Sequence, residues 1–265
     1  MLRISFLLVA SQLLSGEGSL MVPKIMEGTE IIDKRGAVVP KDLSLINHLG
    51  QPVKLGDYLG QDKPVILTLG YYKCPMLCSL VLNGLMDSMK GQSLKLGRDF
   101  SVLSVSINPN ETPDLASAKR TNYLKAFGVN DDAPWTFALG KAEDVSKLAE
   151  SVGFGYKYHK PSGEYVHSAG IFILSPDGVL TRTLYGIAYN PRDLNMSLID
   201  ASRGKIGSLM DRIILSCFHY EPDSHKYGVY VFGVMRLAGV LTILVVGSLV
   251  LILLRRERRL KTWIA

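Results

Sequence analysis

Val65-Ile66-Leu67-Thr68-Leu69-Gly70-Tyr71-Tyr72-Lys73-Cys74-Pro75-Met76-Leu77-Cys78 is the stretch on which the reading of the chain turns. Its first five residues form a compact apolar, β-rich run of the kind found in a strand buried on both faces. Beyond the second cysteine, Leu80, Val81, Leu85, Met86 and Met89 recur at near-helical spacing within Ser79 to Leu96. A strand therefore hands over to a helix across a turn that carries two cysteines. With the helix opening around Cys74 or Pro75, the i, i+4 spacing sets both sulfurs on one face. The unpaired N–H groups and positive dipole end of the first turn then favour thiolate over thiol. Two adjacent thiolates can form a reversible disulfide or grip a soft metal ion such as Cu(I).

The same alternation runs outward from this stretch. Upstream, residues 21 to 63 are mixed, with short apolar pieces such as Val38-Val39, Leu43-Ser44-Leu45 and Val53-Lys54-Leu55 that read as short strands or loops. Downstream, Phe100 to Ile107 reads as a strand. Thr112 and Pro113 are the N-cap and first residue of a helix that Gly128 closes near Phe127. Trp135 to Leu139 is a further strand and Ala142 to Val152 a helix ended by Gly153. Ala169 to Leu174 and Val179 to Tyr185 are strands joined by the turn Ser175-Pro176-Asp177-Gly178, and Asn190-Pro191 opens a last helix. The pattern predicts an α/β domain with a mixed sheet.

Composition agrees with a folded chain. Of 265 residues 47% are hydrophobic and 20% charged, which excludes a disordered or collagen-like protein. Mean hydropathy of +0.18 is high for a soluble protein, and the excess sits at the two ends. Met1-Leu2-Arg3 followed by the apolar run Ile4 to Leu14 has the shape of a secretory signal and is too short to span a bilayer, which takes about 20 residues. Leu237 to Leu254 is an uncharged run of 18 residues, preceded by Val229 to Met235 and interrupted only by Arg236. It reads as a transmembrane helix. The following Arg255-Arg256-Glu257-Arg258-Arg259 cluster puts the C-terminus on the cytoplasmic side. The expected organisation is a signal peptide at 1–20, a main domain at 21–204, a connector at 205–228, a single span at 229–254 and a basic tail at 255–265. The main domain then faces the periplasm or outer side of the cell membrane, where thiols meet oxidants. Four of the six net positive charges fall in the tail, so a nucleic-acid partner has no support.

Two thiolates that hold a metal ordinarily take a third ligand, and imidazole suits copper as well as zinc. His48 and His159 sit in stretches read as solvated surface loops. His167, just ahead of the strand at Ala169, lies in a loop that a thioredoxin-like sheet brings to the same edge as the cysteine turn. By spacing alone it is either a ligand or a hydrogen-bonded structural histidine. Cys217, His219 and His225 place a thiol and two imidazoles within nine residues, ahead of the expected span. They form a second metal site, a pairing point for another chain, or only a juxtamembrane segment whose Phe218, Tyr220, Tyr227 and Tyr230 mark the membrane interface.

The Cys74–Cys78 turn after a hydrophobic strand, together with Val166-His167-Ser168 ahead of a strand ending in Ser175-Pro176-Asp177-Gly178, resembles the SCO/SenC proteins from about Lys54 to Leu198. These are membrane-anchored thioredoxin-fold domains that handle copper for cytochrome c oxidase assembly. The resemblance implies a thioredoxin-like mixed sheet flanked by helices plus one C-terminal transmembrane helix. It further implies one copper ion bound by Cys74, Cys78 and His167, with cysteines that cycle between dithiol and disulfide. An oxidase subunit and other copper or thiol-redox proteins are the implied partners. Three positions depart from the family pattern: Met76, Asn108 and Val166 stand where acidic residues are common. Val166 removes a carboxylate that would orient the imidazole, and Met76 is expected to pack its apolar side chain in the first helical turn. Two functions remain. A copper metallochaperone needs no catalysis; a thiol-disulfide reductase is an enzyme whose cysteines need no histidine. Against reductase as sole function, three residues rather than two separate the cysteines, and no proline stands directly before Ala169, the nearest being Pro161. A structural zinc module wants four ligands, and the main domain offers three.

Overall fold

A computed structural model describes residues 26–202, 218–221 and 226–229, together with 241, 242, 244, 246 and 248. Seven strands form one sheet in the order β2-β1-β5-β4-β3-β8-β9: β1 (Ser44–Asn47), β2 (Pro52–Lys54), β3 (Val65–Gly70), β4 (Ser101–Ser106), β5 (Trp135–Gly140), β8 (Gly170–Leu174) and β9 (Leu180–Tyr185). The helices are α1 (Leu77–Lys90), α2 (Pro113–Phe127), α3 (Ala142–Ser151) and α4 (Pro191–Ala201). β3, β4 and β5 run parallel, connected through α1 and α2. β8 adds antiparallel to β3, β9 to β8, and β1 to β5. This is the thioredoxin-like mixed sheet flanked by helices that the sequence predicts.

Burial on both faces explains why β3 reads as a near-continuous apolar run, while β4, buried likewise, carries Ser104 and Ser106 with their hydroxyls hydrogen-bonded. Leu67, Leu69, Leu103 and Val105 pack with Val145, Leu148 and Ala149 of α3. Ile66 and Val102 face the other way, onto Val81 and Leu85 of α1, Ala116 of α2 and Leu194 of α4. Helix boundaries follow local chemistry. Thr112 accepts a hydrogen bond from the Leu115 N–H as N-cap of α2, Gly128 closes that helix at φ 80°, and Asn190 caps α4 through the Arg192 N–H.

Two features differ from the sequence reading. α1 starts at Leu77 with Met76 as N-cap, not at Cys74 or Pro75, and ends at Lys90 rather than near Leu96. Proline disfavours helical backbone in the residue before it, which holds Cys74 out of the helix. A separate hairpin of β6 (Tyr156–His159) and β7 (Glu164–His167) also occupies a region read as loop. Tyr165 packs against Tyr156 and Tyr158 across it, ring centroids 6.1 and 5.2 Å apart. His159 thus closes a strand, half-buried, its Nδ1 2.8 Å from the Ser162 hydroxyl. His48 is also half-buried rather than solvated. Its Nδ1 has no hydrogen-bond partner, and burial, with the nearby Arg120 charge, lowers its pKa.

The expected signal peptide at 1–20, the tail at 255–265, Cys217 and His225 lie outside the described residues. Within the expected connector, β10 (Phe218–Glu221), which carries His219, pairs with β11 (Lys226–Val229). Of the expected span 229–254, only Val229 and the five helical positions from 241 to 248 are described. Among the described residues no helix is long and apolar enough to cross a membrane.

One close approach fixes the packing beside the cysteine turn. A Cβ on Gly84 of α1 would lie 1.9 Å from the Ile187 carbonyl oxygen in the loop after β9. Helix propensity alone favours Gly84→Ala by about 1 kcal/mol. The backbone clash outweighs it, and urea unfolding is expected to show a net loss of about 1–3 kcal/mol. A stabilised Gly84→Ala would contradict this packing.

Candidate metal centre

The parallel strands end at one edge, and the turn that leaves β3 there carries Cys74 and Cys78. Antiparallel pairing of β8 with β3 matches Thr68 to Ile171 and Val65 to Leu174, so the chain entering β8 arrives at the exit of β3. That register brings His167 to Cys78 across 89 residues, Nε2 to Sγ 3.3 Å. Both cysteines are buried free thiols. Cys74, outside the helix, lies close enough for its sulfur to accept the Cys78 backbone N–H at 3.3 Å. Gly70 makes room for this, since a Cβ there would sit 3.0 Å from Cys78 Sγ.

The histidine is 4% exposed and held in one tautomer. Its Nδ1 lies 2.8 Å from the Ser168 carbonyl oxygen, which only accepts, so Nδ1 carries the proton and Nε2 turns a lone pair toward Cys78. A backbone carbonyl thus does the orienting that a carboxylate at position 166 would have done. Burial lowers the His167 pKa, partly offset by the Ser168 bond and the nearby Cys74 charge. Phe154 flanks the ring at 5.3 Å and Tyr71 meets its edge at 6.5 Å.

The two thiols are unequal. A hydrogen bond from the Cys78 thiol lowers the Cys74 pKa, as do the backbone N–H groups of Cys78 and Met76 and the Tyr71 hydroxyl; burial opposes them. Cys78, the donor in that bond and the more deeply buried, is pushed up. The pair is therefore a Cys74 thiolate beside a Cys78 thiol, whose one proton has the Cys74 sulfur and His167 Nε2 as alternative acceptors. Among the described residues no three His, Cys, Asp or Glu side chains form a ready-made cage. What the edge offers is two sulfurs and one imidazole nitrogen with its lone pair turned inward, a donor set that suits a soft ion.

Met76 is 67% exposed, so the expectation that it packs in the first turn of α1 is corrected: as N-cap it sits at the rim of the site and makes no side-chain cap. Two residues escaped the sequence reading. Ser168 contributes through its carbonyl, which no side-chain pattern reports. Glu111, one residue before the N-cap of α2, carries no motif that marks it, yet is 8% exposed and faces the cysteine turn.

Comparison with known proteins gives a consistent picture. The SCO1/SenC family model matches residues 33–200. A curated relative, "Protein SCO2 homolog, mitochondrial" of Bos taurus, is 27% identical over 158 residues, 56% of this chain and 54% of that protein. Its counterpart in Mus musculus is 28% identical over 160 residues. The chain spans about half the length of these relatives. A crystal structure from Aquifex aeolicus VF5 superposes with a TM-score of 0.55 at 26% identity, covering 64% of this chain and 95% of that one. BsSco, described as a member of the Sco family of cytochrome c oxidase assembly proteins with a disulfide switch, has the same fold: TM-score 0.51 at 17% identity, 66% of this chain and 99% of that one.

The thiol asymmetry predicts selective chemistry. In the reduced, metal-free chain, iodoacetamide at pH 7 is expected to label Cys74 well before Cys78. The Cys74 rate should stay high below the range near 8.5 where a free cysteine loses its thiolate. Peptide mapping that finds equal labelling, with both rates falling near pH 8.5, would contradict the assignment.

Proposed function

The chain belongs to the SCO1/SenC family, and from that premise we propose that Cys74, Cys78 and His167 bind one copper ion as cargo for the copper site of cytochrome c oxidase. The 3.3 Å approach of Cys78 Sγ to His167 Nε2, with Nδ1–H tied to Ser168, carries this reading. The imidazole, with its lone pair aimed at Cys78, adds a third donor to the two sulfurs. Thiolate sulfur selects Cu(I) among the common ions, and a three-coordinate S₂N set leaves one side open for a recipient's ligands. The Cys74 thiolate needs no proton removed before it binds, whereas Cys78 gives up its proton on binding.

A second activity has its own support. A low-pKa Cys74 beside a protonated Cys78 is the division of labour of thiol-disulfide exchange. Cys74 sulfur attacks a partner disulfide and releases one partner thiolate; Cys78, its proton passing to His167 Nε2, then attacks Cys74 Sγ, closing the Cys74–Cys78 disulfide and releasing the other partner thiolate. The same dithiol can prepare a recipient's cysteines and deliver its metal. The uncharged run from Leu237 to Leu254 anchors the chain, with the basic tail in the cytoplasm and the main domain on the outer face. That run and the arginines behind it support this placement.

Substitutions separate the two activities. Cys74→Ser and Cys78→Ser are expected to abolish both tight Cu(I) binding and the intramolecular disulfide. His167→Ala should lower Cu(I) affinity on the order of 100-fold while leaving the dithiol equilibrium with glutathione within about threefold. Unchanged Cu(I) affinity in His167→Ala, measured by chelator competition, would return the histidine to a structural role. For the anchor, alkaline extraction should leave the chain in the membrane fraction, with a C-terminal tag protected from protease added outside; release of the chain would refute it.

A further inference from the structure

We infer that Glu111 is a positioning residue for the cysteine turn, holding the backbone that sets where the Cys74 and Cys78 sulfurs lie. Beyond Gly70 the sheet ladder stops; its last bond there runs from the Ile107 N–H to the Gly70 carbonyl. The next four backbone N–H groups need other partners, because a buried amide left unpaired is costly. The Tyr71 N–H goes to Cys78 Sγ at 3.4 Å and the Cys74 N–H turns back to the Tyr71 carbonyl at 3.3 Å. The two between them go to one side chain: Tyr72 N–H to Glu111 Oε2 at 2.9 Å and Lys73 N–H to Oε1 at 2.8 Å.

The carboxylate is itself fixed. The Ser106 hydroxyl, at the end of β4, donates to Oε2 at 2.6 Å while accepting the Asn108 N–H at 3.1 Å. Glu111 is 8% exposed, and burying a carboxylate is costly unless donors surround it. Its three hydrogen-bond partners, two backbone N–H groups and one hydroxyl, are all donors, so both oxygens act as acceptors, and the bonds are of the stronger charge-assisted kind. A link therefore runs from the end of β4 through Ser106 and Glu111 to the peptides of Tyr72 and Lys73, directly before Cys74. The Tyr71 amide that faces Cys78 Sγ belongs to the same short segment. Without Glu111, the buried Tyr72 amide and the part-buried Lys73 amide lose their acceptor and the turn reopens to find others, which moves Cys74 relative to Cys78. Val166, Met76 and Asn108 lack the acidic side chains of the family pattern, whereas the Glu111 carboxylate reaches the turn from just ahead of α2.

The test uses the full-length chain in detergent, in a Cys217→Ser background so that one dithiol remains. Glu111→Gln keeps the size but replaces one acceptor oxygen with an NH₂ that faces a backbone N–H. The glutathione equilibrium is expected to shift at least tenfold toward the dithiol, about 30 mV for a two-electron couple. Cu(I) affinity should fall about 10- to 100-fold, as for loss of other groups that orient metal ligands. Ser106→Ala, which spares both amide bonds, should shift both readouts in the same direction by less. Asn195→Ala, which removes a remote hydrogen bond to Ser93, serves as a control that lowers stability alone. A glutathione equilibrium within twofold of the parent in Glu111→Gln, with only the fall in Tm that Asn195→Ala also shows, would overturn the inference. Only the copper arm rests on the proposed function. A parent chain that binds no copper while Glu111→Gln still shifts the glutathione equilibrium would sink the copper reading and leave Glu111 in place.

Discussion

The antiparallel register of β8 on β3 is the constraint from which the site follows. Pairing Thr68 with Ile171 sends the chain that enters β8 past the exit of β3, so a histidine and a cysteine 89 residues apart meet at 3.3 Å. A one-residue slip would turn every side chain of β8 to the opposite face. Burial on both faces forbids that: Phe172 and Leu174 fill one core and Ile171 and Ile173 the other, all fully buried. The hydrophobic packing that folds the domain is therefore also what sets the distance between sulfur and nitrogen.

At the edge so created, polar groups finish the arrangement. Backbone amides that run out of strand partners are taken up by sulfur and by Glu111, and the Ser168 carbonyl orients the imidazole. The bonds of the Tyr71 and Tyr72 amides are buried and the other two part-buried, and an unpaired polar group costs more the more it is screened from water. The outcome is a site whose soft donors are held by hard ones: two sulfurs and a nitrogen turned inward, fixed by carbonyl, carboxylate and amide. The unequal thiols come from the same geometry, since the proton that Cys78 offers to Cys74 is what lowers the Cys74 pKa.

Much of this was legible in the sequence, for physical reasons. Strands buried on both faces announce themselves as apolar, β-rich runs, clearest in β3; β4 showed through Val102, Leu103 and Val105 among its serines. Thr112-Pro113, Asn190-Pro191 and the glycines after the helices marked ends that capping chemistry fixes. The cysteines and His167 stood out as soft donors at the boundary of a strand. What failed was local geometry set by tertiary context. The hairpin of β6 and β7 is built from tyrosines packed at tilted angles rather than an apolar alternation, so it read as loop and left His159 apparently solvated. Pro75 kept Cys74 out of the helix, a consequence that i, i+4 spacing hides. Met76 looked like core and is rim. Glu111 and the Ser168 carbonyl were invisible because an acid before a helix is ordinarily solvated and a carbonyl has no letter of its own.

The central claim is that one copper ion is held by Cys74, Cys78 and His167. It is tested most directly by metal stoichiometry together with X-ray absorption on the full chain carrying Cys217→Ser, His219→Ala and His225→Ala, so that the ligands counted come from the main domain. The account predicts one copper per chain, bound by two sulfurs and at least one nitrogen, with the nitrogen lost in His167→Ala. A chain that takes up no copper while its Cys74–Cys78 disulfide forms and reopens freely would contradict it.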